Sequence, residues 1–186
     1  TATAAYEQGV VKLTDTFNCP GYKIVGDRKI RCHKTTGHGA ETFAQGVQNS
    51  CNPVFMEVGQ RLGVANMFKY LKKFSVLYKT GIDVPGEAVT IMHQQKNVGE
   101  VELATMSFGQ SFQLSPIRLL TTISAVINGG NMITPHFGVK ILDEQKNRKY
   151  KIRYNVQKNV ISKDTSEVMK KILESVVSEG GGKKAA

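Results

Sequence analysis

Acidic residues are scarce in this sequence, cysteines are few, and no long hydrophobic run occurs; each shortage excludes something. No stretch approaches the roughly 18 consecutive apolar residues of a membrane span, and the opening does not read as a cleavable leader. Aspartate and glutamate number 15 against 25 lysines and arginines, a formal charge of +10. Such an excess suits nucleic acid, an anionic cell surface or a solvated basic face. The basic residues Lys69, Lys72, Lys73, Lys146, Arg148, Lys149, Lys151 and Arg153 are scattered without the interleaved aromatics that stack on bases. Nucleic acid is therefore set aside in favour of a solvated face. The cysteines are Cys19, Cys32 and Cys51, an odd set with no second close pair to complete a zinc spacing. Cys19 and Cys32 flank a predicted hairpin; a disulfide suited to an extracytoplasmic protein and two free thiols both fit them. Cys51, with no histidine near it in sequence, reads as a small buried hydrophobe rather than a nucleophile.

What the sequence does have is enough apolar material for a core. Its 186 residues, 40% of them hydrophobic, fit one domain or one large piece of a bigger one. Residues 1–8 read as the end of a helix with no cap before it, so the chain is expected to be truncated. Lys23-Ile24-Val25 and Lys29-Ile30-Arg31 around Gly26-Asp27 predict a hairpin. Helices are expected over Thr42–Asn49, from Pro53 to Gly63, through Val64–Phe74, over Val101–Phe108, from Pro116 to Gly129 and over Asp164–Ser178. In the helix starting at Pro116, Ile117, Leu120, Ile123, Ser124 and Ile127 are the expected inward face. Val139–Leu142 and Tyr150–Val156 suggest a second, basic hairpin. Neither repeats nor low-complexity segments occur.

The chemistry is concentrated at Ser50-Cys51-Asn52, between two predicted helices. Pro53 pushes Asn52 out of helical geometry, which makes Asn52 the expected cap and Pro53 the first helical residue. A hydroxyl and a carboxamide two residues apart in a rigid joint can face one cavity; they can also simply cap a helix. His38, between Gly37 and Gly39, reads as shaping a tight loop rather than as a base.

These motifs carry a resemblance when taken in order. Gly37-His38-Gly39, then Ser50-Cys51-Asn52 before Pro53 and Phe55, then Lys79-Thr80-Gly81-Ile82-Asp83-Val84-Pro85-Gly86-Glu87 are followed by Phe108-Gly109-Gln110 with Ser115-Pro116. Asn128-Gly129-Gly130 with Pro135 completes the set. The set resembles the transpeptidase domain of class B penicillin-binding proteins over essentially the whole chain, and within them the branch that serves sporulation. The resemblance implies an α+β architecture, mainly α with small β-hairpins. Residues 1–186 would be the helical part of a penicillin-binding protein transpeptidase or serine β-lactamase-like fold, truncated at both ends, with its central sheet largely absent.

Three elements line the active site in that family: Ser-x-x-Lys, Ser-x-Asn and a Lys-Thr-Gly on an edge strand. Only the second is present with its expected surroundings, as Ser50 and Asn52, which the resemblance makes catalytic and substrate-binding. No Ser-x-x-Lys occurs in the sequence. Lys79-Thr80-Gly81 precedes an Asp-Val-Pro-Gly turn and reads as a structural turn; the catalytic strand is expected beyond a glycine-rich stretch resembling Glu179–Ala186. The implied activity is serine acyl transfer on peptidoglycan stem peptides, by an intact protein that also takes the lipid-linked precursor, β-lactams and other wall-synthesis proteins as partners. Neither cofactor nor metal is implied. The implied place is the extracytoplasmic face of the membrane, through an anchor outside these residues. The chain alone is expected to be inert and prone to self-association. A β-lactamase, a penicillin sensor or a non-catalytic interaction module of the same fold are the alternatives.

Overall fold

The second half of the predicted motif joint opens the longest helix, and that helix organises the rest. In the computed structural model, which describes residues 1–185, Asn52–Lys73 forms α3. Gly63 inside it has φ 75° and ψ 161°, so the helix stops there and restarts at once, as its glycine predicts. Lys72 and Lys73 sit in its last turn, where cations suit the negative end of the helix dipole.

Short elements gather on this spine. The helices α1 (Ala2–Glu7), α2 (Phe43–Gln48) and α4 (Glu100–Ser107) pack on it, α6 (Lys163–Ser178) packs on α1 and α2, and α5 (Pro116–Ile127) packs on α6. Strands occur only as antiparallel pairs among the described residues. β1 (Thr16–Cys19) pairs with β4 (Gly39–Thr42), Cys19 opposite Gly39. The expected hairpin forms from β2 (Tyr22–Val25) and β3 (Arg28–Arg31). β5 (Ile91–Met92) meets β6 (Phe112–Gln113), and β7 (Met132–Ile133) meets β10 (Val156–Gln157). The basic hairpin is β8 (Lys140–Asp143) with β9 (Arg148–Lys151). The α+β reading, mainly helical with small hairpins and no large sheet, is what the structure shows.

The core lies under the first half of α3. Val54, Val58 and Leu62 pack with Phe43 and Val47 of α2, Ala4 and Ala5 of α1 and Met169 and Ile172 of α6. Each large aliphatic or aromatic side chain so buried contributes about 1.5–3 kcal/mol relative to exposure. The helices approach closely because glycines sit at the crossings. A Cβ on Gly46 would lie 2.6 Å from Cγ1 of Val54, and one on Gly59 would lie 1.7 Å from Oγ of Ser107 on α4. Glu7 at the end of α1 caps α6, its carboxylate accepting from the Ser162 amide at 2.9 Å and the Ser162 hydroxyl at 2.8 Å.

One expected face does not turn inward. Ser115 caps α5, its hydroxyl accepting from the Arg118 amide at 3.2 Å, but Leu120 is 60% exposed and Ile123 44%. Ile127 is exposed too, and Ile117 and Ser124 are half-buried. The buried side of α5 is Arg118, Thr121, Ala125 and Val126. Its small residues let α6 approach, where the Ser166 hydroxyl donates to the Val126 carbonyl at 2.7 Å and accepts from the Gly129 amide at 2.9 Å. Arg118 Nε donates to the Tyr78 carbonyl at 3.1 Å. Periodicity found the apolar face of α5 correctly; it carries no information on whether a neighbour covers it.

Candidate functional site

Residues 42–53 build the joint from local rules. Thr42 caps α2 with a reciprocal pair: its Oγ1 accepts from the Gln45 amide at 3.3 Å and Gln45 Oε1 accepts from the Thr42 amide at 2.8 Å. At the other end the Ser50 amide donates to the Val47 carbonyl at 3.0 Å and the Cys51 amide to the Gly46 carbonyl at 2.8 Å. These are the paired closing bonds of a helix that ends on a left-handed residue, a place usually held by glycine. Here Ser50 holds it, at φ 50°. Such a conformation costs a non-glycine residue of order 1–3 kcal/mol and persists where the surroundings fix it.

Asn52 differs from its expected role. The capping position of α3 falls on Cys51 and Asn52 is the first helical residue, with Pro53 inside the first turn. Freed from capping, the Asn52 amide reaches sideways and its Nδ2 donates to the Arg31 carbonyl at 3.0 Å. The joint is therefore tied to the end of β3 by Asn52, while the Ser50 side chain is exposed. The backbone brings the two residues to one turn, and Cys51 between them is fully buried.

Lys79-Thr80-Gly81 lies outside any strand. The Glu87 carboxylate closes the loop on itself, accepting from the Thr80 amide at 2.7 Å and the Gly81 amide at 3.3 Å. Partial burial works to raise the Glu87 pKa, but these bonds outweigh it and the net shift is downward. Asp83 pins the same loop to the segment before β8, accepting from the amides of Phe137 at 2.9 Å and Gly138 at 2.7 Å and from the Tyr154 hydroxyl at 2.9 Å. Backbone donors already occupied by Glu87 are not free to pair with a peptide, in keeping with a structural turn. A cleft of about 430 Å³ lies elsewhere, between Thr16–Lys23 and Pro53–Arg61, without Ser50 or Asn52 in its lining.

The model of the penicillin binding protein transpeptidase domain matches residues 1–186. The chain belongs to that family. Stage V sporulation protein D of Bacillus subtilis is 42% identical to this chain over 185 residues, 99% of the chain and 29% of that protein. The transpeptidase domain of a peptidoglycan glycosyltransferase from Eggerthella lenta superposes with a TM-score of 0.90 at 20% identity, over 100% of this chain and 48% of the other. Penicillin binding protein 3 from Mycobacterium tuberculosis, solved with aztreonam, gives 0.86 at 20% identity over 97% of this chain and 40% of its own. The chain thus spans under a third of that curated relative and less than half of each solved structure. Among the described residues no helix is long and apolar enough to cross a membrane.

Beside the joint, the chain gathers its cysteines. Cys19, Cys32 and Cys51 are buried and unbridged, so the free-thiol alternative is the one the structure takes. Together with His38 they bring four ligand atoms within 4.8 Å of one another. Burial pushes the Cys51 thiol well up, and the neighbouring Glu41 carboxylate adds to it. Burial likewise lowers the His38 pKa, against the opposing pull of Glu41. The linear spacing of the cysteines matches no zinc pattern, yet their positions in space form a ligand set. Its members come from the end of β1, the residue after β3, the loop before β4 and the joint, and no local signal links those four. Gly37-His38-Gly39 was the nearest hint.

Proposed function

We propose that this chain supplies Ser50 and Asn52 to the active site of a peptidoglycan D,D-transpeptidase that serves cell-wall or spore-cortex synthesis. The observation that carries the reading is Ser50-x-Asn52 held in a closed, left-handed joint in the middle of a chain matched end to end by the family model. Support for a sporulation role is the name of the 42% identical relative. The reaction is acyl transfer: a serine attacks the D-Ala-D-Ala amide of a stem peptide, the terminal D-Ala leaves, and the acyl-enzyme passes its acyl group to the amine of a neighbouring stem. The attacking serine belongs to a Ser-x-x-Lys that this sequence does not contain. Ser50, whose hydroxyl both donates and accepts, relays a proton to the departing amine. Asn52 keeps one Nδ2 proton on Arg31, and its second proton and Oδ1 serve the substrate carbonyl and the motif lysine. The protein that carries this segment would be anchored at the extracytoplasmic face of the membrane, where stem peptides, the lipid-linked precursor, β-lactams and other wall-synthesis proteins meet it.

Fluorescent penicillin tests both halves of the reading. The chain by itself is expected to take no covalent label; stoichiometric labelling would mean that the nucleophile lies within it. In the longer protein, Ser50→Ala and Asn52→Ala are each expected to slow acylation about 10²-fold or more, the range of lost proton-transfer and positioning groups, with circular dichroism unchanged. Acylation at the parent rate in both variants would overturn the assignment. Sustained hydrolysis of penicillin by the longer protein would move it to the β-lactamases.

A further inference from the structure

We propose that Cys19, Cys32, Cys51 and His38 form a structural zinc site that staples the Ser50–Asn52 joint to the β1–β4 and β2–β3 pairs. Three thiols and an imidazole are a ligand set of tetrahedral structural zinc, with Zn–S near 2.3 Å and Zn–N near 2.0–2.1 Å. Those bond lengths put neighbouring ligand atoms about 3.5–3.8 Å apart. Cys32 Sγ and His38 Nδ1 stand 3.7 Å apart, and all four ligand atoms lie within 4.8 Å of one another, close to the spacing that a tetrahedral zinc sets. Cys19, Cys32 and Cys51 are each 2% exposed or less, which closes the site to a fifth, exchangeable position as structural sites require.

A second observation points to a cation independently. Oε1 of Glu41 is buried and lacks a hydrogen-bond partner, although its residue is only 4% exposed. Its other oxygen accepts from Asn49 Nδ2 at 3.0 Å. The unpaired oxygen lies 3.9 Å from His38 Nδ1, and the Cys51 thiol is beside the same carboxylate. A desolvated carboxylate oxygen without a donor is costly, and this one borders the ligand set, where a bound cation would compensate its charge. Each cysteine loses its proton as the metal binds, so uptake releases protons to solvent. Cys51 is the middle residue of the joint, and its ligation would fix the residues on either side of it. The site does not rest on the transpeptidase reading: either can fail while the other stands.

The test is a titration of the chain, fully reduced and metal-free under anaerobic conditions, with Co²⁺ and then Zn²⁺. One Co²⁺ per chain is expected, with sulfur-to-cobalt charge-transfer absorption and the intense visible bands of a tetrahedral ion, both bleached as Zn²⁺ displaces it. Zinc is expected to raise the melting temperature, since it binds the folded chain. Cys19→Ser and His38→Ala should lose the tetrahedral bands, and Glu41→Gln should weaken zinc binding about tenfold. No uptake by the reduced wild-type chain, a weak six-coordinate spectrum, or undiminished binding by Cys19→Ser and His38→Ala would each overturn the site. The wild-type titration decides the matter even where a variant fails to fold.

Discussion

The two ends of the molecule solve the same problem in opposite ways. Around the joint, α1, α2, α3 and α6 bury their apolar faces against one another, and Phe43, Val54, Met56 and Val58 are 1% exposed or less. Around α5 and the β8–β9 hairpin, Leu120, Ile123, Phe137, Val139, Ile141 and Leu142 stand between 44% and 75% exposed. The apolar face of α5 is as plain in the sequence as the apolar faces of the first region. The difference is what lies opposite: the first region is its own partner, while the second offers an apolar surface of a kind that monomers seldom leave uncovered. Stability should therefore be concentrated at the joint, and association at α5.

Core truncation at the joint is the strongest way to break that contrast. Phe43→Ala removes a ring that is 1% exposed and should cost about 3–5 kcal/mol, read by urea unfolding. Leu120→Ser on α5, 60% exposed, should change stability by no more than about 0.5 kcal/mol. Equal effects would dissolve the distinction. Next comes overpacking: Gly46→Ala sets a methyl 2.6 Å from Val54 Cγ1 and should cost about 1–3 kcal/mol, despite the better helix propensity of alanine.

The sequence carried the joint more fully than it carried α5. Thr42, Pro53, Gly63, Ser115 and Gly129 are punctuation whose meaning is local, so the helix ends they mark could be placed from neighbouring residues alone. Even there, one assignment moved: Cys51 took the cap and Asn52 turned to the Arg31 carbonyl. That contact joins positions 21 apart in sequence, and no local pattern reports it. For the same reason the cysteine cluster was invisible, since its ligands are assembled by strand pairing and a helix reversal. The face of α5 was legible as apolar but not as exposed, because burial depends on what packs there.

Self-association sharpens the comparison from the other side. Light scattering on the chain at micromolar concentration is expected to show species larger than a monomer. Leu120→Ser combined with Ile123→Ser should shift them toward monomer, because each swap removes exposed apolar area from the same face of α5. A clean monomer for the unmodified chain would show that this surface tolerates water, and the contrast with the joint would lose its consequence.

The smallest effect expected is at Asp83, which ties the Lys79–Glu87 loop to the exposed region. Amides of Phe137 and Gly138 donate to its carboxylate and hold its pKa near 2, against an ordinary 3.8, with the Tyr154 hydroxyl assisting. The folded-state pKa is depressed, so the contribution is present above the ordinary carboxylate value and disappears as pH falls through about 2. Because the carboxylate is solvent-facing, protonation should loosen the tether without unfolding the core. Carboxyl chemical shifts should place the Asp83 titration below the ordinary range. Protection of the Phe137 and Gly138 amides, taken as exchange relative to the intrinsic rate at each pH, should fall over the same window, while α3 stays protected. In Asp83→Asn that loss of protection should already be present at neutral pH and vary little with acid, because the amide keeps an acceptor oxygen but loses the charge. Titration at the ordinary value, or loosening of α3 together with the loop, would mean that the two regions are mechanically one.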